Sequence, residues 1–114
     1  MKKIINTPHA PAPIGPYNQA VLYGNTAYIS GQIPLNPTTG ELVMDSIEAE
    51  TKQVMENLKA ILTAAEMNFE NVVKSSIFIS DMNSFAAINA IYGAYFKSET
   101  APARETVQER KKGL

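Results

Sequence analysis

The chain has 114 residues, 45% of them hydrophobic, and a formal net charge of −1. That is one domain, 1–114, long enough to bury a core without crosslinks. It is too apolar for a disordered chain and too evenly charged for a general nucleic-acid binder, which needs a basic field.

No cysteine is present, which excludes disulfides, thiolate nucleophiles and cysteine-ligated metal. The single histidine, His9, cannot build a metal site alone and reads as a solvated loop residue. The opening "MKKIINTPHAPAPIGPY" carries two lysines but no long apolar stretch, so it does not read as a signal peptide. No run reaches membrane-spanning length. A soluble, cytoplasmic protein with no membrane partner and no nucleic-acid partner is expected.

Residues 7–16 hold four prolines and a glycine, which makes an extended, rigid lead-in. "NQAVLY" (18–23) and "TAYIS" (26–30) are β-rich, and Gly24-Asn25 between them is a two-residue hairpin signal. "GQIPLNPTTGELV" follows with turn chemistry at Asn36-Pro37 and Thr39-Gly40. A short strand over 41–44 is an option.

The first helix starts after Asp45 or Ser46, either of which serves as a cap, and Asp45 with Glu48 has capping-box spacing. Ile47, Thr51, Val54, Leu58, Ile61, Leu62 and Ala65 form its apolar stripe. The methionines at 44, 55, 67 and 82 read as packing. "VVKSSIFIS" (72–80) is a strand. Period-two alternation turns Val73, Ser75, Ile77 and Ile79 one way and Val72, Lys74, Ser76 and Phe78 the other. A second helix starts near Asn83 or Ser84, carries Phe85, Ile88, Ile91, Tyr92 and Tyr95, and ends before Ser98. "ARETVQ" (103–108) is the last strand.

The order β-β-(β)-α-β-α-β predicts an α+β two-layer fold, a mixed sheet with both helices on one face. The sheet's other face, with Phe78 and Val72 beside Ser76, is half-apolar and lacks a covering layer. Such a face is an interface, so an oligomer is expected.

Few residues announce chemistry on pattern alone. Arg104 sits in a strand and shares a face with Thr106. It is either a carboxylate clamp, through two parallel hydrogen bonds, or an edge-strand charge. Ser30-Gly31 ends a strand, where a glycine either lets backbone N–H groups meet an anion or simply turns the chain. Tyr17 and Asn89 are polar handles on structural segments, and Asn89 beside the apolar stripe also reads as a satisfied core group.

The segments "APAPIGPYNQAV", "YISGQIPLNPTTGEL", "ENLKAILTAAEMNFENVVKSSIFISDMNSFAAINAIYGAYF" and "APARETV" resemble the RidA (YjgF/YER057c) family over residues 4 to about 108. The resemblance implies a chorismate-mutase-like fold and a homotrimer with clefts between subunits. It implies deamination of 2-iminobutanoate and 2-iminopropanoate to 2-keto acids, without a cofactor or metal. Carried over by position, it implies that Arg104 holds the substrate carboxylate, with Gly31 as a backbone donor beside it. Tyr17, Ser30 and Asn89 line the cleft, and Thr106 stands where many members have a cysteine. Family members continue past the arginine strand into a loop and a final strand with a catalytic glutamate. "ERKKGL" stands there instead, so that last strand is expected to be missing, activity is expected to be impaired, and no catalytic residue is assigned. By strand parity Glu105 and Glu109 point away from Arg104 and do not replace it. The other reading is a non-catalytic module on the same scaffold that binds small carboxylates or acts as a regulatory or chaperone-like partner.

Overall fold

The structure, a computed structural model, describes residues 1–109. The basic run at 110–112, Leu114 and the expected loss of a following strand lie outside the described residues. Among the described residues five strands and two α-helices occur in the order β1 (Lys2–Ile5), β2 (Ala20–Tyr23), β3 (Thr26–Ile29), α1 (Ile47–Ala64), β4 (Lys74–Ile79), α2 (Phe85–Gly93) and β5 (Ala103–Gln108). The α+β architecture is the expected one. In place of the single mixed sheet expected, the strands form two ladders, antiparallel β1-β2-β3 and parallel β4-β5, because among the described residues no backbone pairing joins the two sets.

The β2–β3 hairpin closes at Gly24-Asn25, with Tyr23 opposite Thr26. Gly24 has φ 61, a left-handed conformation that a side chain resists. The strand β1 is not visible in the sequence pattern, since "KKII" is short and terminal. It forms because β2 offers it an edge, pairing Lys2 with Tyr23 and Ile5 with Ala20. The proline-rich connection from β1 to β2 is held by one buried side chain, Gln19. Its Oε1 accepts from Thr7 N at 2.6 Å. Its Nε2 donates to the carbonyls of Thr7, Ala10 and Pro11 at 3.0, 3.2 and 2.8 Å. Proline supplies no N–H, so a segment of this kind needs outside donors for its carbonyls.

The optional strand over 41–44 reduces to a single bridge, Leu35 to Leu42. Asn36 Oδ1 accepts from Thr38 N and Thr39 N, which completes the turn anticipated there.

Of the two candidate caps, Ser46 is the one used, and its side chain accepts from Ala49 N at 3.0 Å. The buried face of α1 is Met55, Asn57, Ile61 and Leu62. Asn57 is polar yet only 1% exposed. It accepts from Gln53 Nε2 and donates to the carbonyls of Ile33 and Leu35, which explains how it can be buried. Two of the methionines read as packing, Met44 and Met82, are exposed. At the helix end Glu66 takes φ 62, while its N–H donates to Thr63 O and Met67 N donates to Leu62 O. These two bonds make a Schellman cap with glutamate where glycine is usual.

The core of this half joins Ile5, Ala10 and Ala20 to Ile61, with Ile29, Ala60 and Ala65 packed against it. Thus α1 covers the inner face of β1–β3. In the other half α2 covers β4–β5. This helix is shorter than expected, because Met82–Ser84 forms a 3-10 turn and the α-helix ends at Gly93. Tyr95, just past its end, donates to Glu56 Oε2 of α1 at 2.6 Å and ties the two helices.

The alternation read for β4 holds from Lys74 onward: Ser75, Ile77 and Ile79 turn inward, and Lys74, Ser76 and Phe78 outward. Val73, expected inward, is 81% exposed, because the strand begins one residue later and its parity does not extend to it. Phe78, Val107, Tyr23 and Tyr28 are exposed on the sides away from the helices. Among the described residues no helix is long and apolar enough to cross a membrane.

Candidate functional site

Arg104 lies on β5 directly opposite Ser75 of β4. Strand parity sends its side chain, half-buried, to the same side as Thr106 and toward α2. There Nη1 donates to Asn89 Oδ1 at 2.7 Å. The guanidinium carbon stands 4.9 Å from the ring centroid of Tyr92 and 5.5 Å from that of Phe85. Both distances allow cation–π attraction. A guanidinium held in this way keeps further N–H donors for an anion.

Thr106, two residues along the same face, has a buried hydroxyl without a hydrogen-bond partner among the described residues. Three of the expected site residues, Arg104, Asn89 and Thr106, therefore belong to one neighbourhood.

Tyr17 and Ser30 belong to another. They line an open groove of about 340 Å³ with Lys2, Asn18, Val21 and Tyr28. Ser30 Oγ donates to Asn18 O at 2.7 Å, and Ser30 N donates to Gln19 O. The Tyr17 hydroxyl accepts from Ile14 N at 3.4 Å. Gly31 follows Ser30 and is exposed; a Cβ built on it would meet nothing within 4 Å. Its missing side chain is thus not demanded by any neighbour among the described residues. Among the described residues no hydrogen bond joins this groove to the Arg104 neighbourhood.

The parity argument for Glu105 holds. Its carboxylate faces away from Arg104, where it accepts from Ser76 Oγ at 2.7 Å and from Lys74 Nζ at 3.3 Å. The Ser76 hydroxyl first, then Lys74, hold its pKa below the usual 4.5. The carboxylate is therefore ionised and occupied at neutral pH. No group of three or more His, Asp or Glu residues suited to a metal ion occurs among the described residues.

Pattern reading missed Tyr92, Phe85 and Ser75 as neighbours of the arginine, and Lys2 as part of the groove. A signal existed for two of them. Ser75 is a polar residue on the apolar side of β4, and Tyr92 brings a hydroxyl into the buried stripe of α2. Each needs a partner when buried.

Residues 7–111 match the family described as Endoribonuclease L-PSP. A RutC family protein of Pyrococcus horikoshii is 49% identical over 108 residues, covering 95% of this chain and 85% of that protein. A mouse protein named 2-iminobutanoate/2-iminopropanoate deaminase is 47% identical, over 95% of this chain and 79% of its own length. The crystal structure of the YjgF gene product of E. coli superposes with a TM-score of 0.87 at 45% identity, covering 94% of this chain and 85% of that one.

Proposed function

This chain belongs to the Endoribonuclease L-PSP family, which includes the RidA and YjgF proteins, and from that premise we propose that it hydrolyses 2-imino acids such as 2-iminobutanoate and 2-iminopropanoate. The products are the 2-keto acid and ammonia. Mammalian relatives at 47% and 46% identity carry the name of this activity, which supports imine deamination at the level of the family.

The observation that carries the reading is the Arg104 neighbourhood. A small 2-imino acid has one permanent charge, its carboxylate, next to the C=N carbon that water must attack. An arginine fixed by Asn89 and two aromatic rings suits that carboxylate through a bidentate pair. Anchoring there holds the reacting carbon a short, constant distance away. Water then adds to the C=N carbon, the nitrogen takes up a proton, and ammonia leaves as the carbonyl forms. An RNA substrate would call for a basic field, which a net charge of −1 does not suggest.

Tyr17, Ser30 and Gly31 supply the remaining polar groups in this proposal; Tyr17 and Ser30 line a separate groove of the same chain, and Gly31 follows Ser30 in sequence. We therefore place the complete site between copies in a homotrimer, the Arg104 group of one copy against the Tyr17–Ser30 groove of the next. The outward aromatic and apolar residues Phe78, Val107, Tyr23 and Tyr28 support burial against another copy. Light scattering at micromolar concentration tests this directly, and a stable monomer would overturn it. The absence of cysteine agrees with work in the reducing cytoplasm.

One observation favours a second reading. On the Arg104 face no carboxylate stands ready as acid or base among the described residues, and Glu105 is engaged on the other face. A module that binds small carboxylates without turnover fits that. The two separate in one assay, in which a pyridoxal-phosphate-dependent dehydratase releases 2-iminobutanoate from threonine in the presence of semicarbazide. Slower semicarbazone formation with faster appearance of 2-oxobutanoate supports the deaminase. Unchanged rates together with 2-oxobutanoate binding support the module.

A further inference from the structure

Arg104 is not placed by β5 alone. Three contacts close a loop around it. Its strand position is opposite Ser75 in the parallel ladder. The Tyr92 hydroxyl, reaching in from α2, donates to Ser75 Oγ at 3.0 Å. The ring of the same tyrosine lies 4.9 Å from the Arg104 guanidinium carbon. Strand, helix and arginine are thus joined by one side chain.

We propose that Tyr92, held by Ser75, is a positioning residue that sets the Arg104 guanidinium for a small carboxylate. A phenylalanine at 92 would offer the same ring to the cation. What the hydroxyl adds is a fixed depth and tilt for that ring, since it is bonded to the strand next to the arginine's own. Tyr92 is buried, so its hydroxyl is stable there only with a partner, and Ser75 is that partner. The Phe96 ring also packs against the tyrosine, tilted by 37° with ring centroids 4.7 Å apart. Asn89 holds the guanidinium from its edge at Nη1, while Tyr92 meets it with a ring face. A bidentate pair with a carboxylate tolerates only a small angular error, about 10–20°. Restricting the guanidinium from both directions meets that demand.

This inference rests on the proposed carboxylate role of Arg104, and the test separates the two. Tyr92→Phe, Ser75→Ala and the double variant are compared with the parent, with Ser75→Thr as the conservative rescue. Three quantities are read: the Kd of 2-oxobutanoate by calorimetry, KM against kcat for 2-iminobutanoate, and the Arg104 Nε–Hε resonance by NMR. Both single variants are expected to raise Kd and KM about three- to tenfold with kcat little changed, as for a contact equal in ground and transition state. The double variant should be no worse than the poorer single, because both remove one bond. Ser75→Thr should restore the parent values. The Arg104 resonance should move in both single variants, since the ring beside it is freed. Unchanged Kd and an unchanged resonance overturn the inference, as does a fall in kcat at constant KM, because setting the carboxylate anchor acts on binding. If the parent itself binds no 2-oxobutanoate, the carboxylate reading fails. The Arg104 resonance then still decides whether Ser75 and Tyr92 position the side chain.

Discussion

Ser75 and Ser76 are neighbours in the chain, yet their hydroxyls bond on opposite sides of β4. Ser75 receives Tyr92 on the helix side, and Ser76 donates to Glu105 on the outer side. The pleat alone separates a group next to the candidate site from a group that pins the two strands together.

The outer pair predicts a pH effect. Glu105 has a folded pKa below its ordinary 4.5, through Ser76 and then Lys74. A depressed carboxylate pKa contributes stability above the unfolded value and loses it as pH falls through the folded one. Glu105→Gln should therefore melt below the parent near neutrality, and the gap should close as pH drops below 4.5. Thermal melts at a series of pH values check this. A gap that does not change with pH would assign the effect to shape rather than charge. Added salt should narrow the gap at neutral pH, since the groups are exposed.

The tyrosine that ties the helices should titrate late. Burial first, then the hydrogen bond to Glu56 and its charge, push Tyr95 from 10.0 up to about 12. The neutral phenol is thus the form that the fold favours. Its contribution is complete below the unfolded value and disappears as pH rises through the folded one. Ultraviolet titration of the parent minus Tyr95→Phe should show a phenolate step near 12. A difference step near 10 would mean that the Tyr95–Glu56 bond is absent in solution.

Arg104→Lys keeps the charge but loses the fork and the planar contact with Tyr92 and Phe85. Binding of 2-oxobutanoate should weaken by about tenfold or more, one lost charge-assisted hydrogen bond being worth roughly 1.5–3 kcal/mol. Calorimetry gives the answer, and equal affinity would remove Arg104 from the proposed site.

Gln19→Leu deletes four hydrogen bonds to the segment between β1 and β2 while keeping similar bulk. The Ala10 carbonyl, whose bond to Gln19 is buried, would lose that donor, while those of Thr7 and Pro11 are only partly buried. The expected loss is about 2–3 kcal/mol, read as a lower midpoint in urea with an unchanged slope. A change below about 0.5 kcal/mol, the usual size for a surface substitution, would mean that water takes over all four bonds.

Glu66→Gly should act in the other direction. Glutamate at φ 62 is strained where glycine is not, and both cap bonds use backbone only. A gain of about 0.5–1 kcal/mol is expected from the same urea titration. A loss would show that the glutamate side chain contributes more than its backbone strain costs.

The sequence by itself determined the elements whose signals are local. Hydrophobic periodicity located α1, α2, β4 and β5, and Gly24-Asn25 located the hairpin, because these patterns depend on neighbours a few residues away. Strand parity was enough to put Arg104 with Thr106 and to turn Glu105 away from both. The ordered motifs from "GPY" to "PAR" carried the family resemblance. The tertiary structure decided the rest. Nothing within "KKII" marks a strand until β2 provides an edge, and Gln19 and Asn57 look like surface residues until distant carbonyls surround them. The division of the candidate residues between the Tyr17–Ser30 groove and the Arg104 neighbourhood follows from chain topology, not from spacing. The role inferred for Tyr92 follows from three segments meeting: Ser75 on β4 and Tyr92 on α2 are 17 residues apart, Arg104 lies on β5, and their contacts exist only once the helix lies on the strands. A hydrogen bond of about 3 Å tolerates little displacement. Which polar groups meet is therefore a property of the packed chain.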